Sequence, residues 1–261
     1  MSSLWTKLLE KQFSAGLVAE LVDATDLKSV SRKGVWVRFP SCPHKFLMYP
    51  GGYMPVAPIG FKVIACGLAA VVAGLILLKW CFWLGMPLIV LGILFSAFSL
   101  YFFRDPERPR VFAEQEIACP ADGTVMSVQN EGKPGITVIR IFLSIFNVHV
   151  QRAPIAGTIT ETKYTKGKFA VAYKPEAREN EKNLIAITGQ DGRKVEIEQI
   201  TGAIARRIAC YVAEGQNVKS GERVGMIYFG SQVAVYLPEN AKILVKPGDK
   251  VAGAETVLAT W

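Results

Sequence analysis

The chain has 261 residues, 51% of them hydrophobic, and a formal net charge of +8. That is enough sequence for one medium domain with a sizeable core plus an appendage. The apolar fraction is high for a water-soluble protein and points to a membrane segment, while the positive charge suits an anionic partner. The chain contains no basic helix with interleaved aromatics and no nucleic-acid motif, which sets nucleic acid aside and leaves an anionic lipid surface. Five cysteines (Cys42, Cys66, Cys81, Cys119 and Cys210) are scattered, with no Cys-x-x-Cys pair and no metal-like spacing to a histidine. Reduced cytoplasmic thiols fit that pattern; neither a metal site nor a disulfide framework does.

In chain order, residues 1–47 hold no sustained helical or strand period, and the run 19–40 resembles a transfer-RNA gene read through as protein. The stretch is read as a leader from a mis-assigned start, with the true beginning at Met48 or Met54. The next unit, 48–103, contains two uncharged apolar runs, 63–78 between Lys62 and Lys79, and 80–103. About 20 apolar residues cross the hydrocarbon core, so the second run qualifies and the first is marginal. With so short a connection, a membrane-inserted helical hairpin is the economical arrangement; a single crossing or a shallow re-entrant hairpin are the others. Arg104, Arg108 and Arg110 follow the second run and put the following domain on the cytoplasmic face of the cell membrane. Lys62 agrees with that side, and Lys79 at the far turn opposes it.

Asp105-Pro106-Glu107-Arg108-Pro109 is a rigid polar exit that cannot continue the helix. From 104 to 261 the pattern becomes short alternating runs between turn signals. Strands are predicted over 117–119, 124–128, 137–143, 148–151, 158–163, 184–188, 194–200, 209–212, 224–229, 233–237, 242–245 and 256–260. One helix is predicted, over 174–183. The link 246–253, Pro-Gly-Asp-x-Val-x-x-Gly, resembles the barrel-sandwich folds of biotinyl and lipoyl domains. The predicted architecture is mainly β, a barrel-sandwich-like catalytic domain preceded by the helical hairpin.

Three elements carry chemistry. Gly230-Ser231 interrupts two apolar alternating runs near the C-terminus, a place where a turn or bulge is the ordinary reading. His149 lies in Phe146-Asn147-Val148-His149-Val150-Gln151-Arg152, and the other histidine, His44, falls in the leader. His149 is therefore the candidate base near neutral pH, although alone it reads as a part-buried strand residue. Asp122 lies in Pro120-Ala121-Asp122-Gly123-Thr124 and alone reads as a turn residue.

In this order, the aspartate run, the Asn-Val-His-Val-x-Arg run followed by Pro-x-x-Gly-Thr, and Phe-Gly-Ser followed by Val-x-Val-Tyr-Leu-Pro resemble the short, pyruvoyl-dependent phosphatidylserine decarboxylase proenzymes. The likeness covers about 100–261, and the hydrophobic hairpin in kind. It implies autocatalytic cleavage between Gly230 and Ser231, with Ser231 becoming a covalent pyruvoyl group. That group would form a Schiff base with phosphatidylserine and release carbon dioxide to give phosphatidylethanolamine. It implies catalytic roles for Asp122, His149 and Ser231, with Asp122 orienting His149 through its second ring nitrogen. It also implies two fragments that stay associated as a heterodimer, and a possible homo-oligomer. On charge alone, Arg152, Arg206 and Arg207 are candidates for the substrate phosphate. The family's usual arginine before Phe-Gly-Ser, and arginine and aspartate after it, are replaced here by Tyr228, Gln232 and Ala234, which loosens the assignment of the lipid head group. Gln151 in place of the commoner asparagine is a minor departure. A related serine-headed lipid such as archaetidylserine is the alternative substrate. A membrane-tethered serine hydrolase is a weaker reading without a Gly-x-Ser-x-Gly elbow. A non-catalytic carrier domain is weaker still, since its turn lacks a displayed lysine.

Overall fold

A computed structural model describes residues 55–131, 134–170, 175–202, 207–228 and 231–261. The leader expected over 1–47, Arg206 and Gly230 lie outside the described residues. Two helices come first, α1 (Pro58–Leu77) and α2 (Phe82–Phe102), of 20 and 21 residues, each long and apolar enough to cross a membrane. The first run gains its crossing length by starting at Pro58, whose fixed φ suits a first helical position.

Glycines hold the two helices together. Gly60, Gly67 and Gly74 are the buried residues of α1, and they recur every seven residues along one face. Gly85 and Gly92 supply the matching face of α2. A Cβ at Gly92 would lie 2.8 Å from the Gly67 carbonyl oxygen, and one at Gly85 would lie 2.8 Å from that of Gly74. Lipid tails are as apolar as leucine, so helices associate in a bilayer through such close backbone packing rather than by hydrophobic exclusion. The large side chains, including Leu68, Leu75, Trp83, Leu91 and Leu94, point outward and are exposed.

The remainder is mainly β and antiparallel, as predicted. An eight-stranded sheet runs in the order β13 (Lys250–Val251), β2 (Gly123–Gln129), β3 (Ile136–Leu143), β11 (Ser231–Pro238), β7 (Lys194–Ile200), β6 (Lys182–Thr188), β5 (Gly157–Thr165), β9 (Asn217–Val218). Two three-stranded sheets complete the domain. One is β1 (Glu116–Ala118), β14 (Val257–Thr260), β12 (Lys242–Ile243); the other is β4 (Val150–Arg152), β10 (Arg223–Ile227), β8 (Ile208–Cys210). On β11, Val233, Val235 and Leu237 enter the main core, while Ala234 and Tyr236 pack with Val138 and Ile200 on the other face. This strand is buried on both sides.

The helix predicted over 174–183 is not formed. A 3-10 turn covers Pro175–Glu179 and β6 begins at Lys182. The Asn180 amide donates to the carbonyls of Ala170 and Thr201 and accepts from the Ala170 N–H, which pins the chain where a helix would have to continue. The two-residue strands β9 and β13 were not predicted, being too short to show alternation.

The root of the hairpin is stitched together and seated on the β4–β10–β8 sheet. The Ala57 N–H donates to the Phe103 carbonyl at 2.8 Å, and the Asp105 N–H to that of Pro55 at 2.9 Å. Val56, Ala57, Phe102 and Phe103 then form one apolar cluster with Val148, Val150, Ala209, Tyr211 and Met226. Gly92→Ile should force α1 and α2 apart, since its Cβ alone would lie 2.8 Å from the Gly67 carbonyl oxygen and from the stiff, β-branched Val71 side chain. The expected loss is about 1–3 kcal/mol, read as a lower Tm in detergent micelles, whereas Leu91→Ile on the outer face should leave Tm unchanged.

Candidate active site

His149 sits immediately before β4 and is fully buried. Its ring lies against Phe102 from the last turn of α2, with centroids 4.4 Å apart, so the hairpin root forms one wall of the site. Nδ1 is 3.0 Å from the Asn147 carbonyl oxygen. A carbonyl can only accept, so Nδ1 carries the proton and Nε2 presents its lone pair. Nε2 is buried and has no hydrogen-bond partner. Burial pushes the imidazole down to about 4, with the Arg104 charge acting the same way and the Asn147 carbonyl opposing both. The ring is therefore neutral at physiological pH, a base held in one tautomer.

The backbone of His149 is fixed as firmly as its ring. Its carbonyl accepts the Ile227 N–H at 3.2 Å and the Gln151 side-chain N–H at 2.7 Å. Gln151 accepts in turn from Gln199 at 2.8 Å, and Gln199 from Asn183 at 2.9 Å. The three amides are fully buried and form a chain behind the histidine.

Ser231 opens β11, pairs with Leu143 of β3, and is fully buried. Its hydroxyl has no hydrogen-bond partner. An unpaired buried hydroxyl costs roughly 1–3 kcal/mol, and a native group in that state needs an explanation. Ser231 is paired to Leu143, and the Ile227 N–H to the His149 carbonyl, so the described residues on either side of the junction both pair with the segment 143–149. Tyr228 packs on Phe103, with ring centroids 5.9 Å apart, and burial raises its hydroxyl to about 12. It is neutral and cannot stand in for the charge of an arginine.

Asp122 occupies a different setting from the one predicted. Its carboxylate accepts from Arg108 Nη2 at 3.1 Å and from the Gly253 N–H at 2.8 Å. No hydrogen bond joins it to His149 in this structure, because Nδ1 is held by the Asn147 carbonyl. The aspartate turn nevertheless runs beside β4, since the Arg152 N–H donates to the Pro120 carbonyl at 2.9 Å. Arg152 is buried and pairs with Asp105 at 3.0 Å, and Arg223 holds the same carboxylate at 2.6 Å. Arg207 is exposed, and its carbonyl accepts the Tyr228 N–H at 3.1 Å, so it borders the junction. Sequence reasoning missed Phe102, Arg104, Asp105 and Arg108. The dense charge of 104–108 is the available signal, and the sequence reads it as a helix exit and a marker of membrane side, not as part of the site.

Comparison with known proteins adds the chemistry. Residues 95–259 match the family model described as phosphatidylserine decarboxylase. The chain is similar to a phosphatidylserine decarboxylase proenzyme of Cereibacter sphaeroides, 43% identical over 73% of this chain and 85% of that protein. It is also similar to one of Saccharopolyspora erythraea, 40% identical over 78% of this chain and 88% of that one. A third, from Ruegeria pomeroyi, is 39% identical over 78% and 94%. Fold and matches define the class, a decarboxylating lyase made as a proenzyme. The chain belongs to the phosphatidylserine decarboxylase family.

Because the folded-state value of His149 lies below the ordinary 6.5, the unfolded chain takes up this proton first. The neutral ring's contribution to stability is whole above about pH 6.5 and is lost progressively as pH falls towards 4. Imidazole NMR of the uncut Ser231→Ala protein should show one histidine titrating near 4 and vanishing from the spectrum in His149→Ala. A His149 midpoint near 6.5 would contradict its burial.

Proposed function

We propose that this chain is a phosphatidylserine decarboxylase that cuts itself between Gly230 and Ser231 and carries its pyruvoyl group at position 231. The observation that carries this reading is two unpartnered, buried polar atoms, Ser231 Oγ at the start of β11 and His149 Nε2 beside the hairpin root. A serine about to be converted needs a free hydroxyl, and its base needs a free lone pair.

His149 Nε2 takes the Ser231 hydroxyl proton, and Oγ attacks the Gly230 carbonyl carbon. The peptide C–N bond breaks as the ester C–O bond forms, and His149 returns the proton to the freed Ser231 nitrogen. Loss of the Ser231 α-proton then expels Gly230 as its carboxylate and leaves dehydroalanine. Its imine tautomer takes up water and releases ammonia, giving the ketone. The glycine at 230 lets the peptide bend sharply enough for the attack.

The residues present fit that group. Position 231 is buried, it begins a strand paired along both edges, and His149 Nε2 has no hydrogen-bond partner. When present, the pyruvoyl carbonyl supplies an electron sink for the bond to the departing carboxylate. Having taken the proton that the substrate ammonium must shed, His149 Nε2 is the atom that would give it to the carbon that has lost carbon dioxide. Asp122, bridged to Arg108 and to the Gly253 N–H, positions the 120–124 turn against β4. The Gly230–Ser231 cut divides the domain into a large chain and a small one, which remain joined through the β11 ladders. The β domain lies on the cytoplasmic face, with Arg104 at the anionic leaflet. A lipid substrate then reaches the site without leaving the bilayer.

Intact mass spectrometry of the wild type, Ser231→Ala and His149→Ala tests this directly. The wild type should yield a small fragment of residues 232–261 plus a pyruvoyl cap. Ser231→Ala should stay whole, and His149→Ala should process at least about 100-fold more slowly. A single uncut wild-type chain would refute the reading and favour a hydrolase that keeps its serine.

A further inference from the structure

We propose that Arg104, framed by the exposed rings of Tyr101 and Phe146, is the subsite for the phosphodiester of the lipid substrate. This rests on the decarboxylase reading above and names a part of the same site.

Charge is the first argument. Four of the arginines near it each have a carboxylate. Arg108 has Asp122, Arg110 has Glu116, and Arg152 and Arg223 share Asp105. Arg104 has no ion pair among the described residues. Its guanidinium donates from Nη1 to the Tyr101 carbonyl at 2.8 Å and from Nη2 to the Phe146 carbonyl at 2.6 Å. Two neutral carbonyls orient a guanidinium without neutralising it, and three of its five N–H groups remain. A fixed, uncompensated fork is what a phosphodiester oxygen pair matches.

Place is the second argument. Arg104 follows the last turn of α2 by two residues, at the level where a spanning helix meets the lipid phosphates. The Tyr101 ring lies beneath the guanidinium carbon at 4.1 Å and is 45% exposed. Phe146 is 63% exposed, and the Tyr101 hydroxyl donates to its carbonyl at 3.1 Å. These rings extend the apolar surface of the hairpin around the cation, as an interfacial aromatic belt does.

Reach is the third. Phe146 and His149 share one short loop, and the Phe102 ring that covers His149 is two residues from Arg104. A phosphate held at Arg104 keeps its serine head group beside the base while the acyl chains stay along the hairpin. Arg152, buried on Asp105, has no such opening to the lipid.

The test uses processed enzyme in mixed micelles with dioctanoyl phosphatidylserine as substrate. Dioctanoyl phosphatidylglycerol serves as an inhibitor bearing the phosphodiester, and dioctanoylglycerol as one without it. In Arg104→Gln, KM and the phosphatidylglycerol inhibition constant should rise together, about 10- to 100-fold, with kcat within about twofold. Arg104→Lys should recover part of the loss. Unchanged constants overturn the subsite, and so does a fall in kcat at unchanged KM, which would make Arg104 only a brace for the loop. Should Arg104→Gln fail to process, the wild type decides, since equal inhibition by the two additives means that no phosphate is read. Intact mass separates the two levels: an uncut wild type removes the decarboxylase reading and the subsite with it, whereas a cut wild type with unchanged constants removes the subsite alone.

Discussion

Strand β11 is the constraint on which the domain depends. It is hydrogen-bonded along both edges, to β3 from Ser231 through Pro238 and to β7 from Gln232 through Tyr236. Its two faces enter different apolar clusters, so the strand cannot shift by one residue without inverting both. Val233, Val235 and Leu237 each contribute roughly 1.5–3 kcal/mol through burial. A second lock holds the start of the strand. Arg140 donates to Gln232 at 2.7 Å while both Glu131 carboxylate oxygens accept from Arg140 at 2.6 Å. Arg140 keeps the Glu131 carboxyl below its usual range, the sign of a pair stable in its ionised form. Ser231 therefore begins a segment that is immobile before any bond is cut. The same ladders explain how a small C-terminal fragment could stay in place after its covalent link is lost.

The histidine is governed by a different part of the molecule. Its ring packs on Phe102 of the hairpin root, and its Nδ1 is held by Asn147 of the loop that follows β3. Burial is the largest influence on its titration, so the helices keep the base neutral, and the Asn147 carbonyl then selects the tautomer. The seating of the hairpin root and base strength are thereby physically coupled. A change that loosened the root would rehydrate His149 and raise its proton affinity.

Much of this was legible in the residues. The runs around Asp122, His149 and Ser231 pointed to the family, and most strands fall within two residues of their predicted bounds; 194–200 coincides with β7. Alternation reports which face of a strand is buried, so strands survive the absence of any partner information. The partners do not. Asp105 meets Arg223 across 118 positions, and Asp122 meets Gly253 across 131, and no local pattern encodes either. For that reason the bond expected between Asp122 and His149 could not be checked from sequence, and the role of Arg108 was invisible. The helix expected over 174–183 followed the local charge and propensity of that stretch. It lost to one buried asparagine, Asn180, whose bonds are tertiary.

The run from Arg104 to Arg110 shows how one polar segment can serve both the bilayer and the domain. Asp105 is fully buried beneath two arginines, an arrangement that is tolerable only because both of its oxygens are paired. Arg108 reaches inward to Asp122 and Glu255, and Arg110 to Glu116 and the Glu255 carbonyl. These contacts clamp the exit of α2 to the C-terminal turn and to β1. With the flanking charges neutralised by the fold, Arg104 is left as a cation beside the hairpin root. Its neighbours supply its rigidity without cancelling its field. Were Asp105 exposed and free, it would compete for that guanidinium. Its burial under Arg152 and Arg223 leaves the Arg104 guanidinium to the two carbonyls that hold it, and thus links the core ion pairs to the charge presented beside the hairpin root.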